Sequence, residues 1–302
     1  MTTPIFIRGG PSPHGWSKHA DFRLCWRWGA WRWVAGIKFP PGEPLARGIL
    51  MASAMSHLRA QEGARVGSLT YAGKRQTDPS RFMDPHTAID YSVEHELRDI
   101  DSVTRSKVQA DAHRMLDVYK KQPGCFPIGH RILFVEEVVW AWIEDPEQPG
   151  VEYPFTSRPD MITEDVKGRI WWWDDKVAAN PDAKLISSYS FSGQFVGARW
   201  TGPRAWPGRF GGIQLSLTRH DGTFYRPPIK PVPALVSQWP VEYARVERER
   251  ARLVALKTPA VGYQAAMHDQ VCVRRYGGLC PAADLCGFRL TDSGILPDGE
   301  GE

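Results

Sequence analysis

The chain has 302 residues, of which 42% are hydrophobic, so it can bury a substantial core as one large domain or as a core with an accessory lobe. Its formal charge is only +4, which excludes a global basic field and confines any nucleic-acid surface to a local patch. No apolar run approaches the ~18 residues of a membrane span, and the N-terminus lacks a signal-peptide hydrophobic region, so the expectation is a soluble, cytoplasmic protein with no membrane partner.

The first forty residues are polar and then aromatic. The run Phe22-Arg23-Leu24-Cys25-Trp26-Arg27-Trp28 to Trp33 alternates aromatic and basic residues, as a two-stranded element or an edge packed on another lobe would. Arg27, Trp28 and Arg32 are candidates for pairing phosphates and stacking bases of single-stranded DNA, against a plain packing role. After Pro40-Pro41, Leu45 to Ala60 reads as a helix with Leu45, Ile49, Ala52 and Ser56 on one face. Gly63 to Asp101 is charged and reads as irregular. A second helix is predicted from Thr104 to Lys121, with Val108, Ala112, Met115 and Tyr119 at helical spacing, ending before Pro123-Gly124.

Ile132 to Trp142 reads as one buried strand, interrupted chemically by Glu136 and Glu137. A charge inside an apolar strand is costly unless it coordinates or pairs, and only one of these two can share a given face; Glu136 is the candidate extra carboxylate. Arg158 to Lys176 predicts a β-hairpin, with apolar and aromatic runs around Thr163-Glu164-Asp165-Val166-Lys167-Gly168. With the turn centred near Lys167, Asp160 falls opposite Asp174, and directly opposed side chains have Cβ atoms about 5 Å apart. Lys176 then shares the face of Asp174, while Asp175 points the other way. Two such carboxylates repel unless a cation lies between them, and Mg²⁺ or Mn²⁺ favours oxygen ligands. The arrangement suits phosphodiester hydrolysis, with Lys176 orienting water or stabilising charge at phosphorus; solvated charges on a surface hairpin are the bland alternative.

Ser187 to Trp200 is predicted helical, Gly211 to Tyr225 gives strands around a His220-Asp221-Gly222 turn, and Gln238 to Lys257 is a charged helix with a solvated face. The tail after Leu290 reads as loose. This order predicts an α/β domain with a central mixed sheet. Three of the five cysteines, Cys272, Cys280 and Cys286, crowd the C-terminal region. In an intracellular chain that favours metal ligation over disulfides, with Cys25 as a fourth ligand and either an iron-sulfur cluster or structural Zn²⁺ as the bound group.

Pro159-Asp160 with Asp174-Asp175-Lys176 resembles the defining motif of the PD-(D/E)XK nuclease superfamily, especially RecB-type exonucleases of phages, recombination enzymes and CRISPR adaptation. The resemblance covers residues 45 to 200. It implies a restriction-endonuclease-like core acting as a metal-dependent DNA exonuclease on single strands or duplex ends. Asp160, Asp174 and the backbone carbonyl of Val177 would be metal ligands, Lys176 the catalytic lysine, and Gln194, in Ser192-Gly193-Gln194, the supporting glutamine. Ala198 stands where the family usually has tyrosine. Ala52 stands where the family has a histidine ligand, with His57 as a possible substitute. A catalytically decayed, DNA-binding or assembly protein is the alternative these departures imply.

The resemblance also implies a [4Fe-4S] cluster on Cys25, Cys272, Cys280 and Cys286, stapling the termini. The expected organisation is an N-terminal segment 1–44, a nuclease core 45–235, a helical and cysteine-bearing region 236–290 and a flexible tail 291–302, with recombination or adaptation proteins as possible partners.

Overall fold

Trp16–Leu24 (α1) and Trp26–Gly29 (α2), the latter continued by a π-helical turn over Ala30–Val34, are helical in the computed structural model, which describes residues 4–7, 9, 12, 14–257, 280, 282, 284–286, 288–291 and 294–297. The alternating aromatic and basic run is therefore not a two-stranded element. Helical winding gathers side chains that a strand would scatter: the indole N–H groups of Trp28 and Trp33 both donate to the Asp21 carboxylate, at 3.0 and 2.7 Å. Cys25 caps α2, its sulfur accepting the Trp28 amide N–H at 3.4 Å.

Contacts divide the chain into two units, one comprising Met1–Gly15, Pro40–Trp142 and Pro154–Pro240, the other Trp16–Phe39, Ile143–Tyr153 and Val241–Glu302. The borders of the first unit thus fall at 40 and 240, with 143–153 assigned to the second.

In the first unit, Glu43–Arg65 (α3) is longer at both ends than predicted, starting with Pro44 in its first turn. A short hairpin, Thr70–Tyr71 (β1) with Lys74–Arg75 (β2), precedes Pro85–Glu96 (α4). This helix corrects the irregular reading of 63–101. Asp84 caps it by accepting the His86 and Thr87 amides, and Pro85 occupies its first position. Asp101 likewise caps Ser102–Lys121 (α5). Leu50, Met51 and Met55 of α3 pack with Ile89 of α4 and Val108, Met115 and Tyr119 of α5.

His130–Val135 (β3) and Val139–Glu144 (β4) replace the single predicted strand, because the backbone turns at Glu136, whose φ is +53°. Strand β4 pairs with Glu152–Ser157 (β5) in a small separate sheet. The central five-stranded sheet has the order β3, Met161–Asp165 (β6), Ile170–Ala178 (β7), Phe210–Arg219 (β8), Phe224–Tyr225 (β9). Only β7 and β8 pair in parallel, so the sheet is mixed. The parallel step needs a crossover, supplied by Ala183–Phe191 (α6) and Gly193–Ala205 (α7), two helices where one was predicted.

Alternate side chains of the sheet feed two cores. Ile132, Met161 and Trp173 pack against Ala60 and Ala64 of α3. Ile162, Trp172, Leu215 and Leu217 pack against Phe195 and Ala198 of α7. The first unit is thus an α/β layer structure with helices on both faces of the sheet.

Pro233–Ala255 (α8) is the predicted charged helix, but its charged face is not wholly solvated. Glu247 is only 2% exposed and pairs with Arg250 at 2.7 Å. In the second unit Val246 and Leu253 of this helix pack with Phe22, Trp26 and Ala30. Phe288–Thr291 (β10) and Gly294–Pro297 (β11) pair antiparallel, so part of the expected loose tail is a hairpin. No helix among the described residues is long and apolar enough to cross a membrane.

Candidate active site

The hairpin register follows from its turn. The Asp165 carboxylate accepts the amide N–H groups of Lys167 and Arg169 at 2.9 and 3.0 Å, and Gly168 adopts φ +76°. That closure pairs Met161 with Trp173 and Ile162 with Trp172, where the regular pairing ends. Asp160 lies just before β6, its N–H donating to the Trp173 carbonyl at 3.1 Å, one position out of that register, and its carboxyl near that of Asp174.

On the α7 side of the sheet, Asp174 is 3% exposed and receives two donors. Lys176 Nζ bonds its Oδ1, and Gln194 Nε2, from the first turn of α7, donates to its Oδ2 at 2.6 Å. Lys176 also lies 5.8 Å from the Phe195 ring centroid. Asp160 Oδ2 accepts the backbone N–H of Asp175 at 2.5 Å. The structure therefore brings together Asp160, Asp174, Lys176 and Gln194.

Asp175 points to the α3 side, where Arg59 grips it with both guanidinium arms, one at 2.8 Å. Ser56, one helical turn before Arg59, donates to Glu136 Oε1 at 3.0 Å. The positive φ at Glu136 is what turns its carboxyl toward α3. Sequence reasoning missed Arg59 and Ser56 as partners, although continuing the face Ala52, Ser56 by one more turn arrives at Arg59.

Burial raises the Asp160 carboxyl well above the usual carboxylate range, and Asp174, Asp175 and Glu136 push it further. Burial likewise raises Asp174, against the opposing pull of Lys176. Burial takes Glu136 up to about 7, with Ser56 and Arg158 opposing. Burial alone would lower Lys176; Asp174 and Asp160 outweigh it and hold the ammonium above its ordinary value. Carboxyls crowded in this way repel one another, and Lys176 and Arg59 supply part of the opposing charge.

Among the described residues no group of three or more His, Cys, Asp or Glu is disposed to hold a metal. A cation placed here would rest on Asp160 and Asp174, with backbone oxygen, water or substrate supplying the rest. That donor set fits Mg²⁺, which characteristically uses one or two carboxylates plus substrate phosphates. The carbonyl of Val177 lies one residue beyond Lys176 on β7.

His57 is not drawn into this group. Its Nε2 accepts the Ile7 amide at 3.0 Å, it is fully buried, and burial lowers it to about 4, so it is a neutral core histidine. In the second unit Arg32 bonds Asp21 at 2.9 Å and lies over the Trp28 and Trp33 rings, with Arg27 beside them on α2. Cys25, Cys280 and Cys286 belong to this same unit, and Cys25 is buried; Cys272 lies outside the described residues.

No family model and no curated protein matches the chain. A solved structure titled "Crystal structure of SSO0001" aligns over 68% of this chain and 81% of its own, at 11% identity and a TM-score of 0.31. That similarity is too low to carry an argument about fold or function.

Proposed function

We propose that the chain is a metal-dependent deoxyribonuclease of the PD-(D/E)XK type, an exonuclease acting on single-stranded DNA or duplex ends. The observation that carries this reading is Asp174, buried near Asp160, with Lys176 and Gln194 both bonded to its carboxylate. Asp160, Asp174 and the Val177 carbonyl hold Mg²⁺ or Mn²⁺, which supplies Lewis acidity and charge neutralisation at the scissile phosphate. Lys176 presents an ammonium beside the carboxylates, placed to orient the attacking water or to stabilise charge developing on phosphorus. Gln194 fixes the carboxylate plane of Asp174. Glu136 adds negative charge to the acidic group without belonging to the hairpin.

End-labelled single- and double-stranded DNA incubated with Mg²⁺ or Mn²⁺ tests this reading. Cleavage is expected, and Asp174→Ala or Lys176→Ala should abolish it while leaving the circular dichroism spectrum unchanged. Undiminished digestion by both variants would refute the site. The absence of a third side-chain ligand among the described residues, with Ala52 on α3, favours a second reading as a non-catalytic DNA-binding protein on a decayed nuclease fold. That reading requires salt-sensitive DNA binding without cleavage under any divalent metal.

We further propose that Cys25, Cys272, Cys280 and Cys286 hold a [4Fe-4S] cluster that staples the N-terminal helices to the C-terminal region. The placement of Cys25, Cys280 and Cys286 in one compact unit supports it, as does the backbone N–H directed at the Cys25 sulfur. Anaerobic purification should give a brown protein containing iron and acid-labile sulfide; stoichiometric Zn²⁺ without iron would replace the cluster by a zinc site.

A further inference from the structure

The hairpin of α4 and α5 carries a second constellation, away from the acidic hairpin in sequence and built from other chemistry. His86 and Asp90 are four residues apart on α4, as are Gln109, His113 and Asp117 along α5, so each set lines one helical face. His86 Nε2 lies 3.1 Å from Asp117 Oδ1, and His113 Nε2 lies 2.8 Å from Asp90 Oδ1. Gln109 Nε2 also donates to Asp90 Oδ1 at 2.8 Å.

Between these outer contacts the two Nδ1 atoms face one another at 2.9 Å. The ring planes differ by 9° and the centroids are 5.2 Å apart, which exceeds the nitrogen separation by about a ring width. The imidazoles thus lie edge to edge in nearly one plane, nitrogen to nitrogen. Two ring nitrogens in that contact share one proton, one donating and one accepting. Each outer Nε2 faces a carboxylate.

An imidazole that gives one N–H to a carboxylate and turns its other nitrogen toward a common point has the arrangement of a metal-ligating histidine. We propose that His86 and His113 bind one borderline divalent ion of the Zn²⁺, Ni²⁺ or Cu²⁺ class through their Nδ1 atoms. Asp117 and Asp90 fix the tautomers, and water completes the coordination. The ion takes the place of the Nδ1···Nδ1 contact. At ordinary metal–nitrogen lengths of about 2.0–2.1 Å, two nitrogens in adjacent right-angle positions are roughly 2.9 Å apart. In the tetrahedral geometry of Zn²⁺ the separation is roughly 3.3 Å, so the pair must open slightly from 2.9 Å, and each ring must turn, its carboxylate partner moving with it, so that both lone pairs meet beside the line joining them. The His86 and His113 side chains are 32% and 29% exposed, which leaves room for that turn and access for the ion. Imidazole donors select these metals over Mg²⁺, so the site is chemically separate from the carboxylates of the sheet.

Zn²⁺ titrated calorimetrically into the full chain, in two buffers of different protonation enthalpy, tests the assignment. His86→Ala and His113→Ala should each remove one equivalent of binding, while any thiolate-bound equivalent remains. His113→Gln, which keeps a polar side chain, should lose the same equivalent with an unchanged circular dichroism spectrum. Asp90→Asn and Asp117→Asn should each weaken it by about 10–100-fold. Isotherms of either histidine variant that superimpose on the wild type, or wild-type affinity in both asparagine variants, would overturn the proposal.

Discussion

Replacing Arg59 by methionine isolates the cost of an unpaired buried charge beneath the proposed site. The Arg59 and Asp175 side chains are 3% and 7% exposed, and the guanidinium fork occupies both carboxylate oxygens. Burial by itself would lower the Arg59 pKa, yet Asp175 outweighs it and holds the guanidinium above its ordinary value. Methionine fills much of the volume but leaves the buried Asp175 carboxyl without its partner, in a site already crowded by Asp160 and Glu136. Removing one partner of such a pair costs about 3–5 kcal/mol, a large part of the roughly 5–15 kcal/mol that holds a domain together. Urea unfolding at pH 7 with chelator, followed by circular dichroism, measures it. Arg59→Met combined with Asp175→Leu should return to within about 1 kcal/mol of the wild type, because an apolar pair has no desolvation penalty to recover. A cost below about 1 kcal/mol for the single variant, or simple additivity in the double, would refute the reasoning.

Gln194→Ala should leave DNA affinity nearly unchanged and lower kcat by roughly 10–100-fold, the equivalent of a hydrogen bond to a charged group worth about 1.5–3 kcal/mol; single-turnover cleavage reads this directly. Burial takes His19 down to about 3 and His57 down to about 4, from an ordinary 6.5. Below the ordinary value the unfolded chain binds protons that the folded chain refuses, so stability falls as pH falls from about 6.5 toward 4, by roughly 2 kcal/mol per histidine at pH 5. The carboxyls of Asp160, Asp174 and Glu136, held above their ordinary range, oppose this by gaining stability as pH falls, so the histidine contribution is read as the change in the pH 7-to-pH 5 difference in urea midpoint between the wild type and His57→Gln; an unchanged difference would contradict it. Gly222 has φ +87°, and an added Cβ would sit 2.6 Å from the Met115 carbonyl oxygen. Gly222→Ala should cost about 1–3 kcal/mol and lower the Tm, with no compensating change in the unfolding slope.

The hairpin was legible because its determinants are local: Asp165 and Gly168 close the turn, and aromatic residues mark the strand. Asp174 and Lys176 then follow from parity alone. The same local logic would have found α4, since Asp84-Pro85 is an N-cap followed by a first-turn proline, but the charged surroundings masked it. The helix face through Ala52 and Ser56 leads to Arg59, but its pairing with Asp175 was not legible, because the partner is 116 residues away. Glu247 misled for a similar reason. A run of alternating charges reads as solvent-facing, yet helix packing in the second unit buried one member and left Arg250 to neutralise it. The division of the helix predicted from Ser187 to Trp200 turns on Ser192, whose extended backbone (φ −65°, ψ 127°) ends one helix and starts the next. That break places Gln194 in a first turn, from which it reaches Asp174.

The left-handed backbone at Glu136 has an implication for how this chain can change over time. A glutamate there costs about 1–3 kcal/mol relative to glycine, and its carboxyl, pushed up to about 7, adds an electrostatic burden at neutral pH. Replacement of Glu136 by glycine would be an easy stabilising drift, so a glutamate held in that posture is expected to persist only under selection for its charge. Random libraries screened for thermal tolerance alone should enrich Glu136→Gly, whereas libraries screened for DNA cleavage should purge it. If both screens enriched the glycine, the carboxyl would be a relic and not a working part.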